Sequence, residues 1–223
     1  MRRYLFPLIL GIVGCTILIQ LGLWQLDRMA WKQGMLDQIT DGIQADPVPL
    51  PDQVDPSMKY LPVTVTGTTT GQEIDVLSQM RDEGAGYQVV SRFVTDDGRA
   101  ILLDRGFIPQ QARHLDRGPT RLKVTGNLHW PADTGNSTPA PNLDENIWFA
   151  RDVDAMAEHL DTEPVLVVAS FVQGQAQDVI PMPVTIEGIP NNHLSYAVQW
   201  FMIAATWAVM TLALIWRIRQ RSY

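Results

Sequence analysis

Two long runs of apolar residues lie near the ends of this chain, and a polar stretch with alternating apolar positions separates them. No Asp, Glu, Lys or Arg occurs between Arg3 and Asp27, or between Glu187 and Arg217. A helix needs about 20 apolar residues to span a bilayer. The pattern therefore predicts two transmembrane helices, over residues 5–26 and over residues 188–216, the latter range including a short outer segment that precedes the helix.

Five arginines flank the two runs on their distal sides: Arg2, Arg3, Arg217, Arg219 and Arg221. Because cytoplasmic flanks carry an excess of Lys and Arg, residues 1–4 and 217–223 are expected in the cytoplasm and residues 27–187 in the periplasm. Of the 17 Lys and Arg, the other 12 lie in that outer part together with all 24 acids. Arg28 and Lys32 are on the outer side, against the rule, but Asp27 and the two cationic ends outweigh them.

Two alternatives to a retained membrane anchor exist for the first run. The start of the chain resembles a secretory signal peptide, and Ile12-Val13-Gly14-Cys15 resembles a lipoprotein cleavage site that would acylate Cys15. However, apolar sequence continues to Trp24, whereas a cleavable signal has an apolar region of only about 7–15 residues. The length favours retention. Cys15, the only cysteine, excludes an intrachain disulfide and is interpreted as a small apolar residue in the membrane.

The middle of the chain is predicted to be rich in β-structure. All prolines except Pro7 lie between residues 47 and 190, a density that suits turns and strand edges and excludes long helices. Alternating or β-branched runs predict seven strands, at 63–66, 74–77, 87–94, 99–104, 122–128, 165–172 and 184–186. Asp97-Gly98 predicts a hairpin turn. One short helix is expected over 153–160, because Val153, Met156, Ala157 and Leu160 share a face.

These elements predict a membrane α+β protein in which two transmembrane helices flank an antiparallel β-barrel or sandwich-like periplasmic domain. The outer domain, of roughly 130 residues, is large enough for one hydrophobic core. Residues 27–55 are expected to form a membrane-proximal segment and, from residue 40, a polar linker punctuated by proline. Residues 131–146 are interpreted as a long loop at the rim.

The sequence contains no catalytic motif. Its four histidines, His114, His129, His159 and His193, lack the HxH or HxxxH spacing of a zinc site. There is no glycine-rich phosphate loop and no GxSxG motif. Ser170, Asp104 and His114 could in principle form a hydrolytic triad, but any β domain supplies such residues by chance. The protein is therefore expected not to be an enzyme, and its acidic outer domain argues against nucleic acid as a partner.

Three ordered blocks resemble the surfeit locus family of cytochrome c oxidase assembly proteins. Residues 21–28, Leu-Gly-Leu-Trp-Gln-Leu-Asp-Arg, with Trp31-Lys32 behind them, resemble the signature that follows the family's first helix. Residues 104–109, Asp-Arg-Gly-Phe-Ile-Pro, resemble its central block. At the positions of Asp104 and Phe107 the family more often has Asn and Trp. Residues 191–201, Asn-Asn-His-Leu-Ser-Tyr-Ala-Val-Gln-Trp-Phe, resemble its second-helix block, and the whole match runs from about 21 to 205.

The resemblance implies a helper in building haem-copper oxidases, associated in bacteria with haem a handling. Its implied partners are the oxidase catalytic subunit, haem a synthase and membrane lipid. The lack of a mitochondrial-type presequence favours a bacterial inner membrane. The alternative is a haem-free scaffold that docks oxidase subunits or other assembly factors. Copper delivery is disfavoured, because the methionines do not cluster and the only cysteine lies in the membrane.

His193 is the candidate axial ligand, and haem iron is the only metal expected. Residues 196–216 suffice to cross roughly 30 Å of hydrocarbon, which places His193 one turn outside it. Pro190 prevents an earlier helix start, and Asn191 or Asn192 can cap the helix. Because the positive end of a helix disfavours imidazolium, the neutral ring that binds iron is favoured.

Four further residues are candidate haem contacts: Trp200, Tyr196, Arg28 and Lys32. The helix face that holds the first two alternates small and aromatic residues: Tyr196, Ala197, Trp200, Ala204 and Trp207. A flat macrocycle could lie there, although an aromatic belt at the membrane surface explains the same aromatic residues. Arg28 and Lys32 could receive haem propionates, or they could pair with lipid phosphate or with Asp27.

Overall fold

A computed structural model of the protein describes residues 2–175, 178–186 and 189–220. The chain divides into two compact units, one of Met1–Gln38 with Ile186–Tyr223 and the other of Ile39–Thr185. The first unit holds two long helices and the second holds a β-sheet, as the sequence predicts. We refer to them as the helix unit and the sheet unit.

The two long helices are α1, Arg2–Gln44, and α3, His193–Gln220. Both are long and apolar enough to cross a membrane, which indicates membrane anchoring. Helix α1 continues well beyond the predicted span and includes residues 40–44, which were expected to be linker. The extension, residues 27–44, has no proline, and half of its residues favour helix: three Gln, two Met and one each of Ala, Arg, Leu and Lys.

Small residues on α1 allow α3 to approach closely. Three glycines of α1 face side chains of α3, in the pairs Gly11–Thr211, Gly14–Trp207 and Gly22–Phe201. A Cβ atom at any of these glycines would overlap the facing side chain. As the residue number increases along α1, the number of the facing residue on α3 decreases, so the two helices are antiparallel. Close packing through small residues is typical of helix pairs in membranes.

Among its described residues, the sheet unit contains seven strands, one short α-helix and two 3₁₀ turns. The strands are β1, Val48–Pro49; β2, Pro62–Met80; β3, Gly84–Thr95; β4, Ala100–Pro109; β5, Arg121–Leu128; β6, Ile147–Trp148; and β7, Leu166–Gln173. The helix is α2, Val153–Leu160, which matches the predicted helix, and all four residues of its predicted face are buried.

Strand β2 is long enough to pair with β5 through its first half and with β3 through its second half. The pairing order β2-β3-β4-β7-β5 therefore returns to β2. The expected purely antiparallel arrangement is wrong in part, because β1 and β6 each pair with β2 in parallel and β4 pairs with β7 in parallel. The β4–β7 pair is parallel because a long crossover that contains β5 and α2 connects the two strands.

The predicted strands differ from the structure at residues 63–77 and 184–186, and the short strands β1 and β6 were not predicted. Residues 63–66 and 74–77 belong to one strand, which continues through a register shift between Thr69 and Glu73. Residues 184–186 form no strand, since Pro183 interrupts the run and lacks a backbone donor. The hairpin at Asp97-Gly98 is confirmed, with β3 and β4 antiparallel on either side of the turn.

Both faces of the sheet are covered by apolar side chains. Ile101 and Leu103 contribute to one core cluster, whereas Leu102, between them, contributes to the other, against which α2 packs. This alternation follows from the period of two along a strand. Polar side chains buried in this unit are therefore surrounded by apolar atoms. Their ion pairs and hydrogen bonds determine whether they stay charged.

Candidate functional site

His193 is the first residue of α3, as the sequence predicts. Its Nδ1 atom lies 2.8 Å from the side-chain oxygen Oε1 of Gln25 on α1. Because an amide oxygen can only accept, this contact places the ring proton on Nδ1 and leaves the Nε2 lone pair for another partner. No second hydrogen bond to the ring occurs among residues 2–175, 178–186 and 189–220. His193 is therefore oriented as a metal-binding imidazole commonly is.

The segment that leads into α3 has irregular backbone. The backbone N–H of Tyr196 donates to the carbonyl of Asn192 at 3.3 Å, which closes the first turn of the helix. The Asn191 side-chain oxygen Oδ1 is buried and, within the described part of the chain, accepts no hydrogen bond. An acceptor of this kind is costly to leave without a donor. It lies two residues from His193 in sequence.

The two candidate cations of α1 have different surroundings. Lys32 Nζ donates to the carbonyl oxygen of Pro190 at 2.5 Å, so Lys32 reaches the segment that precedes His193. The Arg28 guanidinium stacks on the Trp31 ring, 3.9 Å from its centroid. Gln25, Arg28 and Lys32 are spaced i, i+3, i+7 and share one side of the helix. The structure thus brings Lys32 and Gln25 to the His193 end of the helix unit.

The two candidate aromatic residues are less constrained. Tyr196 is half exposed and Trp200 is half buried. The helix face expected to hold a macrocycle is not open along its length, because Ala197 and Ala204 are buried and Trp207 lies against Gly14. Two grooves lie between α1 and α3 around Gly11 and Thr211, at the end of the helix unit that is away from His193.

The block Asp104-Arg105-Gly106-Phe107 lies inside the sheet unit. Gly106 has φ 121° at the register shift between β3 and β4, and its backbone N–H donates to Asp104 Oδ1 at 3.1 Å. Phe107 and Ile180 exchange two backbone hydrogen bonds, at 2.7 and 2.8 Å. The block is therefore part of β4 and forms a β-bulge at Arg105-Gly106. It fastens the chain segment around Ile180 to β4.

Arg105 of this block belongs to a buried ion cluster, which no local sequence pattern indicates. Arg105 is one of the largest fully buried side chains and lies 3.9 Å from Glu73. Arg117 pairs with Glu73 at 2.7 Å and with Asp178 at 3.6 Å. Burial lowers the pKa of Arg105, while the nearby Glu73 carboxylate raises it. The cluster joins strands and loops that are far apart in sequence.

A second polar group surrounds Asp104. The Asp104 carboxylate is fully buried, accepts a hydrogen bond from Gln88 Nε2 at 3.2 Å and lies 3.4 Å from Arg151 Nη1. Burial raises the pKa of Asp104 to about 6, although Arg151 opposes the shift. Burial likewise lowers the pKa of His129 to about 4.

The hydrolytic triad that the sequence could in principle supply is not assembled. Ser170 Oγ donates to the backbone carbonyl of Thr125. Asp104 contacts Gln88, Arg151 and the Gly106 amide, and no hydrogen bond joins it to His114 or Ser170 among the residues that the structure describes.

Comparison with known proteins gives a consistent result. The chain matches the model of the SURF1 family over residues 12–205. It is 29% identical to Surfeit locus protein 1 of Homo sapiens, with 83% of this chain and 69% of that protein covered. It is 31% identical to a SURF1-like protein of Monosiga brevicollis, covering 83% and 78%. A SURF1-like protein of Rickettsia bellii is 26% identical, covering 92% and 87%.

Proposed function

This chain belongs to the SURF1 family, whose members are oxidase assembly factors and generally not enzymes, and on that premise we propose that it binds haem a. It would then aid delivery of the haem to the catalytic subunit of a haem-copper oxidase, or its insertion there. Haem a synthase is the proposed donor, and the oxidase catalytic subunit is the proposed acceptor. His193 is the proposed axial ligand.

The observation that carries this proposal is the contact between His193 and Gln25. A haem ligand needs an unprotonated ring nitrogen and a fixed ring orientation. The Gln25 oxygen supplies the orientation by accepting the Nδ1 proton, which leaves Nε2 for iron. The two residues lie in different family-like blocks and on different helices. Their meeting gives both blocks one shared role.

Lys32 and Arg28 are the proposed partners of the haem propionates. After its bond to Pro190, the Lys32 ammonium retains two further donors. The Arg28 guanidinium, stacked on Trp31, can still donate from its edge. Trp200 and Tyr196 are proposed to contact the macrocycle edge, since the face beyond them is covered by α1. Lipid phosphate would compete for both cations in the haem-free protein.

The helix unit is proposed to sit in a bacterial inner membrane with both termini in the cytoplasm and the sheet unit in the periplasm. The supporting observations are the two apolar helices and the arginines beyond them. Alkaline phosphatase fused near Gly135 should be active, and the enzyme fused after Tyr223 should be inactive. The reverse pattern would overturn the topology.

A haem-free scaffold remains the second candidate function. The observation that favours it is the close glycine-mediated packing of α1 on α3, which covers much of the face on which a macrocycle was expected to lie. In that case the sheet unit would dock an oxidase subunit or another assembly factor, and His193 would only pin α3 to α1.

The absorption spectrum of protein purified after co-expression with haem a synthesis enzymes separates the two functions. Haem binding predicts a haem a spectrum that co-purifies with the protein at close to one haem per chain. The same cells without those enzymes provide the control. Protein that supports oxidase assembly but carries no chromophore would overturn the haem-carrier proposal and favour the scaffold.

A further inference from the structure

The sheet unit contains a polar cavity that the proposed haem function does not use. Its volume is about 350 Å³, and its polar lining comes from Tyr60, Ser78, Gln88, His129, Arg151 and Thr185. The parallel pairing of β4 with β7 ends at the pair of Asp104 with Val168, and Val168 lines the cavity. The irregular segment 182–185 forms another wall.

The backbone at the cavity wall is strained. Tyr60 has φ 78°, a left-handed conformation that is unusual for an aromatic residue. The surrounding chain holds it there, because its N–H donates to the carbonyl of Leu128 at 2.8 Å and its carbonyl accepts from Asn127 Nδ2 at 3.0 Å. Strain that is maintained in this way is concentrated at ligand sites.

His129 provides an unsatisfied polar atom in the same wall. Its ring lies 5.6 Å from the Tyr60 ring, centroid to centroid. Its Nδ1 atom is buried and lacks a hydrogen-bond partner within the described residues. Because buried polar atoms in proteins are almost always hydrogen-bonded, an atom of this kind needs an explanation. The Nδ1 atom has no exposed surface, so a ligand in the adjacent cavity would contact the rest of the His129 ring rather than this atom.

The charged groups beside the cavity are already paired with one another. Arg151 donates to Asp133 at 2.8 Å and to Asp104 at 3.4 Å. An anion would have to compete with two carboxylates for that guanidinium, and a cation would lie against the guanidinium itself. Among the residues described, the third nitrogen of Arg151, Nη2, makes no hydrogen bond. The remaining donor suits an uncharged acceptor such as a carbonyl oxygen.

The cavity also has an apolar side. Val168, Met182 and Val184 line it beside the polar residues, and its size falls at the lower end of the range for small-molecule sites. We propose that this cavity binds a small uncharged molecule with an apolar body and a carbonyl or amide head, which accepts a hydrogen bond from Arg151 and lies beside the His129 ring. The inference concerns the sheet unit alone and does not depend on haem binding.

Three benzene derivatives of equal size test the charge preference on the full chain in detergent micelles: benzamide, benzoate and benzamidine. Saturation-transfer-difference NMR should show saturable binding of benzamide in the low millimolar range, as expected for about nine non-hydrogen atoms. Benzoate and benzamidine should bind at least about fivefold more weakly, because Arg151 and its carboxylates are already paired. Equal binding of all three, or tighter binding of benzoate, would overturn the proposal.

Ser78→Leu places an apolar side chain in the cavity and should weaken benzamide binding by at least about tenfold. Ser137→Leu makes the same change in an exposed loop and should have no effect. If circular dichroism shows that Ser78→Leu does not fold, His129→Leu takes its place and should weaken binding at least about threefold. Unchanged affinity in the folded variant would show that benzamide binds elsewhere, for instance to the micelle, and would refute the site.

Discussion

Different kinds of contact stabilise the interior of each of the two units of this protein. In the helix unit, glycines of α1 accept side chains of α3, and the buried residues of α3 are the small Ala197 and Ala204. The sheet unit contains three apolar clusters together with buried, paired charges that include Arg105 and Asp104. The packing of the helix unit depends on the complementary shapes of the two helices. The sheet unit depends also on the pairing of its buried charges.

This difference separates the roles of the family-like blocks. The Asp104-Arg105-Gly106-Phe107 block is buried and fastens a chain segment, so substitutions there are expected to act through stability. The block around His193 contains a half-buried imidazole with one oriented nitrogen, so substitutions there are expected to act through binding. Stability and ligand content can therefore be changed independently, which the following predictions use.

The largest expected effect comes from removing a buried charge. Arg117→Met should lower the free energy of unfolding of the sheet unit by about 3–5 kcal/mol, because Glu73 and Asp178 both lose their paired cation in a site shielded from solvent. Chemical denaturation followed by near-ultraviolet circular dichroism measures the change. Arg121→Met, which breaks an exposed pair with Asp96, is the matched control and should cost less than about 1 kcal/mol. Equal losses in both variants would contradict the assigned importance of burial.

The sheet unit should also respond to pH through two groups with opposite signs. The folded pKa of Asp104, about 6, lies above its ordinary value of 3.8. The stabilisation contributed by Asp104 is therefore fully present below pH 4 and is lost as pH rises through 6. The folded pKa of His129, about 4, lies below its ordinary value of 6.5. The stabilisation contributed by His129 is therefore fully present above pH 6.5 and is lost as pH falls through 4.

These two contributions offset one another in the wild-type protein between pH 4 and 6.5, and single substitutions should separate them. In Asp104→Asn the stability should rise with pH over this range, because only the His129 contribution, roughly 1–2 kcal/mol for a half-buried ring, remains. In His129→Gln it should fall with pH by roughly 3 kcal/mol. Denaturation at several pH values measures both slopes. Parallel slopes in the two variants would show that the pKa shifts are assigned incorrectly.

In the helix unit the expected effect is smaller and geometric. Gly22→Leu should separate α1 from α3 at a cost of about 1–3 kcal/mol, because its side chain would occupy the space of the Phe201 ring. Cross-linking between Gln25→Cys and His193→Cys, in a Cys15→Ser background, reports the separation as a lower yield. Gly34→Leu serves as control because a Cβ atom at that position would meet no heavy atom within 4 Å among the residues described. An unchanged yield in Gly22→Leu would mean that the helices do not depend on this contact.

Local sequence signals predicted much of the fold. Helix α2, the β3–β4 hairpin and the start of α3 each depend on residues close together in the chain. Strand β2 was divided in two because Gly67 and Gly71 interrupt its alternation. The structure instead keeps one strand across a register shift, where Gly71 has φ 85°. Glycine at such a shift is a common feature of bulged strands.

The contacts of the site were harder to predict. The sequence identifies His193 and places it at the start of a helix, but its pairing with Gln25 depends on how α1 and α3 are rotated about their axes. Glycines on α1 set that rotation through their contacts with α3. The ion pair between Glu73 and Arg117 joins residues 44 positions apart, and no periodic pattern relates such residues. Long-range pairing of this kind depends on the assembled sheet.

The most direct test of the central claim is the haem content of His193 variants purified after co-expression with haem a synthesis enzymes. His193→Gly should lose at least about tenfold in bound haem, and added imidazole should restore the spectrum, because the free ligand can occupy the space of the missing side chain. His114→Ala, at an exposed histidine of the sheet unit, should keep wild-type content. If His193→Gly retains wild-type haem content and an unchanged spectrum while oxidase assembly proceeds, His193 is not the ligand and the haem-carrier account is contradicted.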